Sequence, residues 1–217
     1  MKNYRVERIE SKDAKPFILG LHYAQRMPSI SYAYGIFLGE ELLGICTIGK
    51  PASNPLCVGV CGKEYSHKVF ELNRLCMKDK LGKNVLSFFV SKVLKDLKKE
   101  NLILISYADT GMNHSGYIYQ ATNWMYTGLT AGRTDKYTPE NKHSRHYTNE
   151  FNHLRKVRTA KHRYIYVAGD KRFVKEVKVK IRYEEQPYPK DTNSDYELGT
   201  RQKTKILNTE DNTVFYQ

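Results

Sequence analysis

The stretch SYADTGMNHSGYIYQATNW, Ser106 to Trp124, sets Asp109, Gly111, His114, Tyr119 and Gln120 close together just past the apolar run LILIS at Leu102–Ser106. Acids, imidazoles and phenols at the end of a strand can move protons and orient substrates, and the same residues can cap a helix or close an Asx turn. Asp109 carries both readings. Arg74 is the second residue out of place. It interrupts the apolar run VFELNRLCM, where it either pairs with a carboxylate such as Glu71 or Asp109 or clamps an anion. The third feature is a block: from Arg133 to Arg182 there are fifteen Lys or Arg against five Asp or Glu, whereas 183–217 holds four against seven. Within it His143, His146, His153 and His162 are interleaved with Tyr137, Tyr147, Phe151, Tyr164, Tyr166 and Phe173, so charges for phosphates and faces for stacking occur together. That composition favours a nucleic-acid partner over a merely solvated basic surface.

These groups need elements to position them. Tyr4–Ile9 reads as a strand, and Ser11 caps a helix over Lys12–Tyr23 that tolerates Pro16 only near its first turn. Ala24–Ile30 reads as a loop. Ala33–Leu38 and Leu42–Gly49 form a hairpin about Gly39, and Lys50–Lys63, with two prolines and two glycines, reads as a loop. In the strand Lys68–Met77, strict alternation sends Glu71, Asn73 and Leu75 to one face and Phe70, Leu72, Arg74 and Cys76 to the other. Asn84 opens a helix to Lys99 with Leu86, Phe89, Val90, Val93, Leu94 and Leu97 at helical spacing. With Leu102–Tyr107 as the next strand this makes a βαβ unit, whose ligands bind at the carboxyl ends of the strands, where Asp109 lies. A short helix over Tyr117–Asn123, a strand over Trp124–Gly128 and a basic hairpin of Tyr164–Ala168 with Phe173–Ile181, turning at Gly169-Asp170, complete the expected elements. The expectation is one domain over 1–182, including the basic block 133–182, followed by a peripheral polar tail over 183–217.

The chain has 217 residues and a formal charge of +13. No stretch approaches the eighteen or so apolar residues a membrane span needs, and the N-terminus has no apolar signal core, so a soluble, cytoplasmic protein without a membrane partner is expected. Cys57 and Cys61 have a spacing that zinc sites occasionally use, but reduced structural thiols are the expectation for all four cysteines. His67 and His114 read as surface loop histidines.

The element order is that of the GNAT acyltransferase fold: α/β, a mixed central sheet with flanking helices, here with a basic, β-rich C-terminal extension. HYAQRMPS at His22–Ser29, SYAYGIF at Ser31–Phe37, ELNRLCM at Glu71–Met77 and SYAD followed by HSGYIYQATNW at Ser106–Trp124 resemble, in order and spacing, the Mom family of phage DNA-modification proteins. The resemblance covers roughly His22 to Gly128. It implies a GNAT-like enzyme that converts adenine in double-stranded DNA to N6-carbamoylmethyladenine and shields phage DNA from restriction in the cytoplasm of the infected host.

The resemblance carries functional positions onto His22, Tyr23, Asp109 and Tyr119 as a catalytic set, and onto Arg74 and Ser87, with Gly82, for the donor. Asp109 could orient or deprotonate the N6 amine; His22 could share that work or, with Asp109 and the tyrosines, ligate a metal such as iron. Tyr23, Tyr119 or Trp124 could stack on a flipped base. Each has a plainer role: His22 as an imidazolium at a helix C-terminus, Tyr119 as core, Ser87 as a packing residue. Arg155, Lys156, Arg158, Lys161 and Arg163 are the expected phosphate contacts. One departure stands out, since MKDKLGKNVLS offers only Gly82 where a GNAT that uses acetyl-coenzyme A has a glycine-rich stretch. The donor is therefore open between acetyl-coenzyme A and a tRNA-linked or other anionic molecule. Two other functions remain open: a non-catalytic DNA-binding protein on this fold, and a GNAT acetyltransferase acting on another amine.

Overall fold

The computed structural model describes residues 1–79, 81–139, 147–190 and 198–217; His143 and His146 of the basic block lie outside the described residues. The main sheet is assembled from β1 (Tyr4–Arg8), β2 (Tyr32–Leu38), β3 (Glu41–Gly49), β4 (Val69–Met77), β5 (Leu102–Asp109), β6 (Met125–Leu129) and β9 (Lys161–Ala168), in the order β1-β2-β3-β4-β5-β9-β6. Its one parallel pair is β4–β5, joined by helix α3 (Val85–Leu97), so the expected βαβ unit is present within a mixed sheet. Phe89, Val90, Val93, Leu94 and Leu97 of α3 are buried on one face of the sheet against Ile36, Leu72, Leu104 and Trp124. Each large apolar side chain so buried stabilises the fold by about 1.5–3 kcal/mol. The opposite face is covered by α1 (Ser11–Gly20), α2 (Asn54–Tyr65) and α5 (Lys171–Lys178). Cover on both faces is why β5 reads as the unbroken apolar run LILIS.

Several expectations are corrected. α1 stops at Gly20, which leaves His22 and Tyr23 in the following loop, and its N-cap is Glu10 rather than Ser11. The expected loop Lys50–Lys63 contains α2. Pro55 sits in its first turn, where no N–H is needed, Cys57 and Val60 pack against the sheet, and the helix kinks at Cys61 and Gly62, whose backbone angles are not helical. The expected strand Phe173–Ile181 contains α5. Asp170 caps it by accepting from the Phe173 N–H at 2.8 Å, and Val179, which made the segment look alternating, is 79% exposed.

A second sheet stands outside the first, in the order β11-β10-β8-β7, built from β7 (Arg133–Lys136), β8 (Leu154–Arg158), β10 (Lys205–Asn208) and β11 (Val214–Tyr216). Two of its strands come from the segment expected to be a peripheral tail. That segment is tied to the body in other ways: Ile206 is fully buried, Gln186 donates its N–H to the Tyr126 carbonyl, and the Tyr188 hydroxyl donates to the Trp124 carbonyl at 2.7 Å. All four cysteines are free and buried.

Candidate active site

The β4–β5 ladder ends at Glu71↔Ile105, yet β4 continues to Met77 and β5 to Asp109. The two strands part, and the gap between them is a cleft of about 440 Å³. Behind two of its lining residues, the buried Ser106 hydroxyl oxygen lies 2.8 Å from the Leu72 carbonyl oxygen and 2.7 Å from the Tyr119 hydroxyl. One face-switching irregularity decides what enters the cleft. Thr47 pairs with Arg74 and Ile48 with Leu72, so Asn73 is an extra residue in β4. The bulge is held by the Thr47 hydroxyl, which donates to Asn73 Oδ1 at 2.7 Å, and by Asn73 Nδ2, which donates to the Ser29 carbonyl at 2.8 Å. Strict alternation, which put Arg74 on the Leu72 face, therefore fails at this residue.

Arg74 lines the cleft but pairs with neither Glu71 nor Asp109. Its guanidinium donates to the carbonyls of Asn73 at 2.6 Å and Arg26 at 2.8 Å, and its Nε is buried without a partner. The guanidinium forms no ion pair among the described residues, and burial pulls its pKa below the usual value, with Tyr23 and Glu71 opposing the fall. Glu71 faces the same cleft and has no hydrogen-bond or ion-pair partner among the described residues. Burial raises its carboxyl pKa above the ordinary value, with Arg74 and Lys161 opposing the rise. An unengaged carboxylate with a raised pKa has the properties of a general base.

His22 is buried, and its Nδ1 accepts the Ala24 N–H at 3.0 Å, which leaves the ring proton on Nε2. Burial, reinforced by Arg74 and His114, lowers its pKa to about 3. The imidazolium at a helix end is thereby corrected: this ring is neutral, beyond the helix, and a donor at Nε2. Tyr23 stacks on it with centroids 4.4 Å apart and meets the edge of His114 at 6.0 Å. Burial, with Asp109 adding to it, raises the Tyr23 hydroxyl to about 12, so the ring is a neutral face. Tyr119 is 7% exposed and packs on Trp124 and Tyr164 while its hydroxyl reaches the cleft, so its plainer role as core and its place in the site coexist.

Asp109 is buried at the rim and does not line the cleft. One oxygen accepts from the Gly111 N–H at 2.9 Å and from the Thr159 hydroxyl, and the other pairs with Lys161 Nζ at 3.1 Å. It caps the turn at Thr110–Met112 and fixes Lys161, which does line the cleft. With the Asp109 oxygens so engaged and His22 Nδ1 on a backbone N–H, these two do not converge as metal ligands, and no group of three or more His, Cys, Asp or Glu suited to a metal occurs among the described residues. These described residues give no support to an iron cofactor. Gly82 and Ser87 also lie off the cleft: the Ser87 hydroxyl donates to the Asn84 carbonyl at 3.0 Å, and a Cβ on Gly82 would meet only Val85 at 3.7 Å.

The expected phosphate contacts divide. Arg155, Lys156 and Arg158 lie on β8 in the second sheet, with Arg158 paired to Asp135 at 2.7 Å. Arg163 is engaged elsewhere, donating to the Thr127 side chain and carbonyl and lying 3.5 Å from the Tyr183 ring centroid. Only Lys161 of the five reaches the cleft.

A model of the Mom protein family matches residues 3–190. The chain belongs to the Mom protein family. This Mom-family chain is 32% identical over 132 residues to the methylcarbamoylase mom of Escherichia phage Mu, across 58% of this chain and 54% of that protein, about half its length. Its structure is similar to the ribosomal-protein-S5-alanine acetyltransferase from Vibrio fischeri, with 11% identity, a TM-score of 0.48 and coverage of 78% of this chain and 96% of that one. It is also similar to a GNAT family acetyltransferase from Elizabethkingia anophelis with acetyl-CoA bound, with 9% identity, a TM-score of 0.43 and coverage of 77% and 99%.

The Mom-family cleft contains residues that sequence reasoning missed. Glu71 was considered only as a partner for Arg74, His114 was assigned to the surface although it lines the cleft, and Leu198 reaches it from the supposed tail. A charged residue inside a strand covered on both faces was the available signal for Glu71, as it was for Arg74. No helix among the described residues is long and apolar enough to cross a membrane.

Proposed function

We propose that this chain transfers a carbamoylmethyl group to the N6 amine of adenine in double-stranded DNA, inside the host cytoplasm, protecting phage DNA from restriction. The observation that carries the reading is one cleft lined both by Glu71, which has no ion-pair partner among the described residues, and by Arg74, held only by backbone carbonyls, in a member of the Mom family. The N6 lone pair is delocalised into the ring, so the amine needs a base as its new bond forms. In this reading N6 bonds to the donor carbon, the leaving group departs with the bonding electrons, and the N6 proton passes to Glu71. Arg74 holds the anionic end of the donor, whose methylene carbon carries the leaving group, because transfer from an acyl thioester would give an N6-acyl adenine instead. A base within a duplex does not present N6 for attack, so the target is flipped, with the stacked Tyr23 and His22 rings offering it a face and His22 Nε2–H a donor. Lys161 and the β8 residues Arg155, Lys156 and Arg158 are the proposed phosphate contacts.

Nucleosides from plasmid DNA co-expressed with the protein are expected to include a deoxyadenosine heavier by one carbamoylmethyl substitution, read by mass spectrometry. Only unmodified nucleosides at good expression, in a host able to make the donor, would overturn the reading. Asp109 has a positioning role here. Asp109→Asn retains the Gly111 bond and loses the Lys161 ion pair, so the melt should shift by less than about 1 kcal/mol and modification should persist within about tenfold. Collapse of modification with an unchanged melt would return Asp109 to the chemistry.

A further inference from the structure

A second groove opens at the other end of the sheet. β6 meets β9 from Met125↔Ile165 onward, so the last residues of β9, Tyr166–Ala168, are paired with β5 and have no ladder on their other side. Between that free stretch and α5 lies a cavity of about 770 Å³, within the range of small-molecule sites. Its walls carry Lys98, Lys171, Lys175 and Lys178 against a single carboxylate, Glu185. Lys171, Lys175 and Lys178 stand at successive turns on one face of α5, and none of the four lysines has a hydrogen bond or ion pair among the described residues. Like charges at that spacing repel and weaken a helix, and a bound anion would relieve them.

Beside the lysines the groove is aromatic. Trp124 is fully buried at its floor, its ring centroid 5.6 Å from that of Tyr166, and the Tyr188 hydroxyl holds the Trp124 carbonyl. The Trp124 indole N–H is one of only two buried side-chain polar atoms without a partner among the described residues, the other being Arg74 Nε in the cleft. A row of unneutralised lysines beside the rings of Tyr166 and Tyr188 matches one kind of ligand.

We propose that this groove binds a nucleotide, with its phosphates on Lys171, Lys175 and Lys178 and its base against Tyr166 and Tyr188, beside the buried Trp124. The site is distinct from the cleft. Asp109↔Lys161 lies at the cleft end of the β5–β9 pair and Leu102↔Ala168 at the groove end, roughly 20 Å apart along the strand. The proposal holds whatever reaction the cleft performs. A free mononucleotide and the end of a nucleic-acid strand present the same chemistry.

Trp124 is the chain's one tryptophan, so its fluorescence reports occupancy at the groove floor. Titration with ADP is expected to change it saturably. The combined Lys171→Gln, Lys175→Gln and Lys178→Gln variant should weaken that binding at least about tenfold, and Arg74→Gln should leave it unchanged. Binding of a short single-stranded oligodeoxynucleotide but not ADP, lost in the same triple variant, would identify a strand end as the source. The lysines are exposed, and Lys175→Glu alone provides the same test if the triple variant melts early. No saturable change with either probe, wild-type affinity in the triple variant, or loss of binding in Arg74→Gln would each overturn the proposal.

Discussion

Replacing Glu71 with Gln is expected to lower adenine modification about 10²- to 10³-fold while the protein stays folded and still binds duplex DNA. Gln preserves the shape of Glu71 and removes its capacity to take a proton. The effect on stability should run the other way. A carboxyl whose folded pKa is raised stabilises the fold below its unfolded pKa and loses that contribution as pH rises through the folded value, so at neutral pH the charged Glu71 is a burden. Glu71→Gln should melt no lower than the wild type at pH 7. In the wild type the modification rate should fall as pH drops through the raised Glu71 pKa, and this limb should vanish from the residual activity of the variant. His22 cannot produce the limb, because its pKa lies at about 3. Near-normal modification by Glu71→Gln would remove this carboxylate from the reaction.

Gly116→Ala should unfold the site from beneath. Gly116 has φ +86° and precedes α4 (Tyr117–Ala121), the helix that carries Tyr119. A Cβ there would sit 2.4 Å from Tyr164 Cε2 and 2.8 Å from its Cζ. Tyr164 is fully buried and donates its hydroxyl to the Ser115 carbonyl, so its ring has nowhere to go. Overpacking of this kind costs about 1–3 kcal/mol and the left-handed backbone a further 1–2 kcal/mol. A loss near 3 kcal/mol, or roughly 10 °C in a domain of this size, is expected in a thermal melt. Gly82→Ala is the control: its Cβ meets only Val85 at 3.7 Å, so it should melt like the wild type. Equal melts for the two variants would show that Gly116 is not required by its contacts.

Much of the scaffold was legible because it is written in short windows. The helical spacing of Phe89, Val90, Val93, Leu94 and Leu97 and the apolar run of β5 identified the βαβ unit, and motifs from His22 to Trp124 led to the family that the match over residues 3–190 shows. Where local patterns were ambiguous the reading failed. Val177, Val179 and Ile181 alternate like a strand, but the cap at Asp170 and the packing of Phe173 on Tyr65 make their segment begin as a helix. The second sheet was invisible for a different reason. β8 pairs with β10 about fifty residues away, and a strand of only four residues such as Lys205–Asn208 is too short for periodicity to announce it.

The sequence by itself determined the fold class, the family and the fact that polar groups gather at the carboxyl end of β5, since these follow from residue types and spacings within a few turns or strands. Only the tertiary structure decided which of those groups could act. Asp109 and Glu71 are both carboxylates near that strand end, yet Asp109 is held by Gly111, Thr159 and Lys161, while Glu71 stands unengaged in the cleft. The extra residue at Asn73 turns Arg74 out of simple alternation and onto two backbone carbonyls, one of them 48 positions away. Engagement and facing depend on partners distant in sequence and on register, which a single added residue reverses, so neither is contained in the local pattern that forms the elements.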